Sequence, residues 1–282
     1  MTWELLIDGI DFGEGPRWRD GRLWYSDFYQ QAIYSVGAAG DRRTELEHDG
    51  RPSGLGWLPD GRLLFVSMLD RRVMRREHDG HVVEHADLST IAAGHCNDMV
   101  VDERGHAYVG NFGFDFEGGA ELVPASLALV RPDGTATAVA DDLLFPNGSI
   151  VTDDGATLIV GESFGARYTA FTVRDDGTLD DRRVWAEVPE MAPDGCTLDA
   201  EGAIWFSDAL GGQVVRVREG GEILETISTP APTFACMLGG DDGSTLFALT
   251  SVGADPETAA GSGTGTIIHR RVETGRHPTA LP

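Results

Sequence analysis

The feature that most constrains the fold of this chain is a short motif that occurs six times. In each copy, a turn containing glycine and an acidic residue precedes a run of alternating bulky apolar residues, which is the pattern of a half-buried strand. The first copy is R-D-G-R-L-W-Y-S-D (19–27), and the fifth is A-E-G-A-I-W-F-S-D (200–208). The turn glycines are Gly21, Gly61, Gly105, Gly155, Gly202 and Gly243. They are separated by 40, 44, 50, 47 and 41 residues, a period typical of one four-stranded propeller blade.

The repeat predicts an all-β fold, a six-bladed β-propeller with four-stranded antiparallel blades around a central channel. We expect a single domain over residues 1–282. Turns midway between the glycines, such as R-P-D-G-T (131–135), would join the outer strands of a blade. The segment W-E-L-L-I (3–7) precedes the first repeat and is expected to pair near T-I-I-H-R-R-V (266–272), which would close the ring. A two-sheet β-sandwich is the alternative, but it would not explain the period.

Composition narrows the possible partners and the compartment. The formal net charge of −24 argues against nucleic acid, because phosphates would be repelled. The apolar runs are too short to span a bilayer, and the amino-terminal residues do not resemble a signal peptide, so we expect no membrane partner. The three cysteines are far apart in sequence, which suits a reducing compartment and predicts a cytoplasmic protein. A small-molecule substrate fits this composition, and the oligomeric state stays open.

Four polar residues occupy one register of the repeat. Glu14 lies seven residues before its turn glycine, and Asn97, Asn147 and Asp194 each lie eight residues before theirs. The innermost strands of a propeller line its channel, so equivalent positions form a ring at one end. Carboxylate and amide oxygens are ligands that hard divalent cations prefer, which predicts a metal site. The alternative is that Asn and Asp merely cap strand ends, although two of the three asparagines of the chain fall on this ring.

At these residues the chain resembles a known family. The motifs are F-G-E-G-P-R-W (12–18), C-N-D-M-V-V-D (96–102), F-P-N-G (145–148) and A-P-D-G-C-T-L-D (192–199). In this order and spacing they resemble the gluconolactonase, or senescence marker protein (regucalcin), family. The resemblance implies a six-bladed propeller with one divalent metal at the channel end. It also implies that Glu14, Asn147 and Asp194 are metal ligands and that Asn97 contacts substrate.

The resemblance implies an enzyme, a divalent-metal-dependent lactonase acting on a sugar lactone or on a more hydrophobic lactone or ester. A metal ion would polarise the lactone carbonyl, and Asp194 would act as general base or, alternatively, as nucleophile. Ca²⁺ is the first candidate, and oxygen ligands also admit Zn²⁺, Mn²⁺, Mg²⁺ or Fe²⁺. The alternative function is a non-catalytic propeller that binds calcium or a protein partner, since one fold hosts many functions.

The chain departs from the sugar-lactonase pattern just before Asn97. His95 stands where such members often carry an arginine that grips substrate hydroxyls, so we expect His95 either to contact substrate or to be a partly buried strand residue. The following stretch, N-F-G-F-D-F-E-G-G-A-E-L-V-P-A-S (111–126), would form a lid over the channel, or its alternating Phe residues would form one face of a strand. We assign Phe114 from this stretch to the substrate pocket. Further aromatic candidates near the ring are Phe12, Phe145, Phe164 and Phe234.

One rival motif is G-E-S-F-G (161–165), which fits the nucleophile elbow of serine hydrolases. That elbow needs a helix after the serine, whereas A-R-Y-T-A-F-T-V (166–173) alternates like a strand. We therefore interpret Ser163 as a hairpin residue. Cys96 and Cys196 flank the predicted ring in sequence and are interpreted as small buried apolar residues.

Overall fold

The repeated motif forms the turn after the innermost strand and the second strand of each blade in a six-bladed β-propeller. The structure is a computed structural model that describes residues 2–276, with strand β1 (Glu4–Ile10) before the first complete blade. The first blade contains β2 (Gly13–Arg19), β3 (Arg22–Asp27), β4 (Ala32–Gly37) and β5 (Arg42–Glu47). The second contains β6 (Pro52–Trp57), β7 (Leu63–Ser67), β8 (Arg72–Arg76) and β9 (Val82–Asp87). The third contains β10 (Cys96–Val101), β11 (Ala107–Asn111), β12 (Ala125–Val130) and β13 (Ala136–Leu143).

The remaining blades repeat this meander, with one change in the last. The fourth blade contains β14 (Pro146–Val151), β15 (Thr157–Glu162), β16 (Arg167–Val173) and β17 (Leu179–Glu187). The fifth contains β18 (Pro193–Leu198), β19 (Ile204–Asp208), β20 (Gln213–Val217) and β21 (Ile223–Ser228). The sixth contains β22 (Thr233–Gly239), β23 (Thr245–Thr250) and β24 (Gly265–Arg271), and β1 supplies its outermost strand. All pairs are antiparallel, which confirms the predicted fold class.

The ring closes where the sequence predicts, through the first and last strands. Leu5 is the partner of Ile268 and Ile7 the partner of Ile267 across the β1–β24 pair. Because β1 joins β24, the sixth blade is a complete four-stranded sheet and the ring of blades is closed. The closure holds the innermost strands β2 and β22 side by side at the channel.

The repeated turn joins the innermost strand of a blade to the second strand. In the second blade, the Asp60 carboxylate accepts a hydrogen bond from the Arg62 backbone N–H at 3.0 Å, and Gly61 adopts φ +88°. The second strand then inserts large side chains between neighbouring sheets, and they form the core. Fully buried examples are Tyr25, Phe65, Tyr108, Phe206 and Trp205.

Helical structure is short in the described residues. A single 3₁₀ turn covers Ser163–Gly165, and one α-helix, α1, covers Pro256–Ala259, capped by the Asp255 carboxylate. Neither is long enough or apolar enough to cross a membrane. Both lie in loops between the second and third strands of a blade, the loops that surround one end of the channel.

Candidate metal centre and active site

The four polar residues of the predicted ring meet at one end of the channel. Glu14, Asn97, Asn147 and Asp194 each occupy the second residue of an innermost strand, in the first, third, fourth and fifth blades. All four are buried, with 4–8% of their surface exposed. All four line one cavity of about 780 Å³. The structure therefore brings together every residue that the repeat register selected as polar.

A bulge in each innermost strand accompanies the ring position. In the fifth blade, Pro193 pairs with Asp208 and Cys196 with Phe206, so β18 carries one residue more than β19 at Asp194. The same extra residue occurs in the other five innermost strands. A bulge bends the strand locally and re-aims a side chain. The ring side chains can therefore face the cavity although their strands run along the channel.

The glycines after the ring residues allow the innermost strands to approach one another. A Cβ atom at Gly148 would lie 2.3 Å from the Asp194 carbonyl oxygen, and one at Gly195 would lie 2.7 Å from the Ala235 Cβ. Asn147-Gly148 is therefore not a hairpin turn, despite its turn-like sequence. Glycine is required because a side chain there would push apart the strands that carry Asn147 and Asp194.

The two carboxylates of the ring share a buried, electronegative environment. Burial, followed by the charges of Asp194 and Asp98, raises the pKa of Glu14 well above its ordinary value. Burial and then the charge of Asp98 raise the pKa of Asp194 in the same way, against the opposing effect of the Asn147 amide. Within the described residues, Oδ1 of Asp194 is buried without a hydrogen-bond partner. A cation would relieve both conditions, because it favours the ionised carboxylates and accepts the free lone pairs.

Asn147 is held by a side chain from the loop after β15. Its Nδ2 donates to Ser163 Oγ at 3.2 Å, and Ser163 Oγ donates to the Pro193 carbonyl oxygen at 2.7 Å. Since the amide nitrogen faces Ser163, the amide oxygen is the atom left to bind a cation. Ser163 is a residue of the β15–β16 connection, and β16 follows it as the sequence predicts. Its described hydrogen bonds include no imidazole, so no serine-nucleophile arrangement is built around it.

A second set of polar residues holds the loops that lead into the ring. These residues lie at or near the ends of the second strands, are at most 2% exposed, and comprise Asp27, Ser67, Asn111, Glu162, Asp208 and Thr250. The Asp27 carboxylate accepts from the backbone of Phe12 at 3.2 Å, and that of Asp208 accepts from Ala192 at 3.0 Å. The sequence reasoning missed this set, although the signal stands in the motif, whose first and fifth copies end in Ser-Asp.

Above the ring, the cavity wall is largely aromatic. Eight aromatic side chains line it, namely Phe12, Phe28, Tyr29, Phe112, Phe116, Phe145, Phe164 and Phe234. The four aromatic candidates proposed outside the Phe-rich stretch are all among them. Every loop between a second and a third strand contributes at least one lining residue. The cavity is therefore formed by all six blades, although only four supply a carboxylate or an amide to the ring.

His95 and Phe114 lie behind this wall. Neither is among the described residues that line the cavity. His95 packs near the ring of Phe112 at 6.0 Å, and Phe114 is 7% exposed beneath Phe116 and Phe145. The stretch after β11 is a loop and not a strand, so its side chains do not alternate between two faces. The direct substrate contact predicted for His95 and Phe114 gains no support from this geometry.

The surroundings of the cysteines beside the ring are those of structural residues and not of reactive thiols. Cys96 and Cys196 are buried and free, as is Cys236. Burial raises the pKa of both the Cys96 and the Cys196 thiol to about 12, so neither is a thiolate near neutral pH. This agrees with their interpretation as small apolar residues.

The carboxylate and amide oxygens of the ring residues suit a hard divalent cation. In the part of the chain that the structure describes, no three His, Cys, Asp or Glu side chains cluster as a metal site. The ring has two carboxylates, and its other two members are amides, whose oxygens are common calcium ligands. The free Oδ1 of Asp194 and the raised pKa values of Glu14 and Asp194 are what such a site shows before it binds a cation.

The protein is a propeller of six blades around a channel, with one polar centre at the channel mouth. Buried carboxylates and amides form this centre beneath an aromatic cavity. A family model described as "SMP-30/Gluconolactonase/LRE-like region" matches residues 12–252. The chain belongs to this family, as the four sequence motifs predict.

Relatives with curated names cover nearly the whole chain. A pentonolactonase from Haloferax volcanii is 27% identical over 270 residues, which is 93% of this chain and 89% of the relative. A regucalcin from Danio rerio is 29% identical over 272 residues, 91% of this chain and 88% of the relative. Among solved structures, a regucalcin from Agrobacterium tumefaciens, described as a calcium-binding protein, superposes with a TM-score of 0.83. It is 21% identical and the match covers 99% of this chain and 97% of that one, a likeness that shows the fold.

Proposed function

We propose that this protein is a lactonase that depends on a divalent cation held by Glu14, Asn147 and Asp194. The single observation that carries the proposal is Asp194, a buried carboxylate that lines a large cavity beside Glu14 and has a raised pKa and an Oδ1 without a hydrogen-bond partner among the described residues. The similarity to a pentonolactonase over most of both chains supports the reaction class. The similarity to calcium-binding regucalcin structures supports Ca²⁺ as the first ion to test, with Zn²⁺, Mn²⁺, Mg²⁺ and Fe²⁺ as alternatives.

Different residues of the protein act in different steps of the opening of the lactone. A divalent cation, when bound, supplies positive charge that polarises the lactone carbonyl. Asp194 accepts a proton from the water whose oxygen adds to the carbonyl carbon. The bond from that carbon to the ring oxygen then breaks, and the ring oxygen takes up a proton to give the hydroxy acid. Asn97 contacts the substrate from the ring position next to that of Asn147. Ser163 is a positioning residue that orients Asn147.

A variant of this mechanism has Asp194 attack the carbonyl carbon directly, with water later cleaving the acyl–aspartate bond. A single turnover in ¹⁸O-labelled water separates the two. The general-base route leaves Asp194 unlabelled, whereas hydrolysis of the acyl intermediate at the aspartate carbonyl would place label in its carboxylate. Mass spectrometry of the peptide that contains Asp194 reads the result.

Proton release from a panel of lactones tests the function. The chelated protein should be inactive and should regain turnover with one divalent ion. Asp194→Asn should lower kcat/KM by about two to four orders of magnitude, the range for loss of a general base. Asp20→Asn is the matched control, because Asp20 is exposed at a turn of the first blade, with 82% of its side chain accessible. Turnover that survives complete metal removal would overturn the proposal.

A non-catalytic calcium-binding or partner-binding propeller is the other outcome of that experiment. It would be favoured by tight metal binding without turnover of any lactone or ester. We place the protein in the cytoplasm as part of the same proposal, because its three cysteines are free and buried in the described structure.

A further inference from the structure

The wall above the ring is a packed aromatic surface. The rings of Phe112 and Phe145 are stacked, with centroids 4.4 Å apart and planes 13° from parallel. Phe116 and Phe164 extend this pair towards the mouth, with centroids 5.5 Å and 4.8 Å from that of Phe145. The outer two are also partly exposed, at 46% and 45%. A continuous apolar strip therefore leads from the solvent down to the polar ring.

Polar groups are confined to the floor and the rim of the cavity. At the floor lie the ring residues and Ser163, whose Oγ is already engaged with Asn147 and Pro193. At the rim lie Glu117, Asp255 and Glu257. Among the described lining residues, none is Arg, Lys or His. A polyhydroxylated ring between floor and rim would lose water without gaining hydrogen bonds, and each unsatisfied hydroxyl is costly.

The loops around the mouth also expose apolar side chains. Eleven large hydrophobic side chains are exposed in the described structure, and seven of them lie in the loops around this end of the channel. The seven are Leu69, Phe116, Leu122, Val123, Phe164, Leu210 and Val252. Exposed apolar clusters of this kind mark ligand-binding grooves or interaction sites. Three of the seven, Phe116, Phe164 and Leu210, also line the cavity that holds Asp194, so exposed apolar side chains are present where a ligand would enter.

We propose that the substrate is a neutral lactone bearing an apolar alkyl or aryl substituent, and not a polyhydroxylated sugar lactone. The inference rests on the proposed lactonase function and adds the substrate class. The lactone carbonyl lies at the ring, and the substituent runs along the strip of Phe145, Phe112, Phe116 and Phe164. Glu117 is paired with Arg51 at 2.6 Å, and the remaining rim carboxylates, Asp255 and Glu257, together with the net charge of −24 disfavour anionic lactones. The cavity volume is in the range of pockets for ligands larger than a single ring.

A homologous series of γ-lactones tests the substrate class. The series runs from γ-butyrolactone through γ-alkyl lactones of increasing chain length, with glucono-δ-lactone, xylono-γ-lactone and dihydrocoumarin alongside, on enzyme loaded with its best divalent ion. We expect kcat/KM to rise by up to about fourfold for each methylene that becomes buried, and to level off when the strip is covered. Better turnover of the sugar lactones than of the alkyl series would overturn the inference and leave the lactonase function intact. Turnover of no lactone would overturn both.

A variant at the rim tests the assigned wall. Phe164→Ala removes an exposed ring and should lower kcat/KM for the longest alkyl lactone by about tenfold, and for γ-butyrolactone by far less. Val184→Ala is the matched control, because Val184 is 50% exposed on the outermost strand of the same blade, outside the cavity lining. It should change neither value. Equal loss of both substrates in Phe164→Ala, or no loss of either, would overturn the assignment of the strip. Thermal melting of both variants checks that the fold is retained.

Discussion

Arg17 on the first blade reaches Asp98 on the third, with Nη2 3.1 Å from Oδ1, and both side chains are buried at 8% and 5% exposure. The second blade lies between them around the ring, so this ion pair spans the channel. It lies beside the ring, since Asp98 follows Asn97 in β10 and its charge raises the pKa of Glu14 and of Asp194. Arg17 thus neutralises a carboxylate that would otherwise add to the negative charge of the site.

Breaking this pair should destabilise the protein. Arg17→Met leaves Asp98 buried without its cation, and we expect the free energy of unfolding to fall by about 3–5 kcal/mol. The double variant Arg17→Met with Asp98→Leu removes both charges and should recover most of that loss. Denaturant unfolding measures both. Arg183→Met is the control, because its ion pair with Glu219 is exposed, and it should leave stability nearly unchanged. Similar losses in the single and double variants would contradict the expectation.

Glu14 and Asp194 should make a contribution to the stability of the metal-free protein that is lost as pH rises above about 4, and the double variant Glu14→Gln with Asp194→Asn should lack it. The raised pKa values of Glu14 and Asp194 mean that the unfolded chain releases these protons first. The folded state then binds more protons than the unfolded state, so the free energy of unfolding falls with pH until the folded pKa values are passed. The sign is opposite to that of a salt-bridged carboxylate, whose stabilising effect is lost on acidification.

A bound cation should reverse that trend, because it keeps both carboxylates ionised. Stabilisation by the cation should therefore grow as pH rises, and binding should release protons. Melting temperatures at several pH values, with and without the ion, measure the first effect. Calorimetric titration in buffers of different ionisation enthalpy counts the protons. In the double variant Glu14→Gln and Asp194→Asn, both effects should disappear; their persistence would place the titrating groups elsewhere.

Ser163→Ala should weaken cation binding modestly. The variant removes the hydrogen bond that orients the Asn147 amide, and one such bond is worth about 1 kcal/mol, or roughly a fivefold change in Kd. Because Ser163 is a positioning residue, turnover at saturating cation should largely persist. If Ser163 were the nucleophile, activity would be lost at any cation concentration. The Kd of the ion and kcat, measured separately, distinguish the two cases.

Gly148→Ala should damage the site by moving strands and not by removing a ligand. The new Cβ would lie 2.3 Å from the Asp194 carbonyl oxygen, so β14 and β18 must separate. We expect cation affinity to fall by at least tenfold and stability to drop by about 1–3 kcal/mol, as for an overpacked core. Gly155→Ala is the control: no atom lies within 4 Å of its Cβ, but its φ is +67°, so it reports the cost of backbone strain alone.

Period and register allowed the blades, the ring closure and the four ring residues to be predicted, because each depends on one strand and its equivalent in the next repeat. Contacts between different blades were beyond that reasoning. The Arg17–Asp98 pair joins the first blade to the third, and the Ser163 hydroxyl joins the fourth blade to the Pro193 carbonyl oxygen of the fifth; neither spacing carries a periodic signal. Phe114 was assigned to the pocket on the assumption of a strand or lid, whereas the loop turns Phe112 and Phe116 to the cavity instead.

The pairing of β1 with β24 links the arrangement of the polar ring to closure of the propeller. Strand β1 has no sheet to join until β24 of the sixth blade has formed. That final blade lies between the blade of Glu14 and the blade of Asp194. Until that blade has formed, the protein cannot hold Glu14 and Asp194 in their final arrangement. The two residues are far apart in sequence, so bringing them together costs conformational entropy. The proposed ion site therefore depends on closure of the ring by β1 and β24, because closure fixes the blades that carry Glu14 and Asp194 relative to each other.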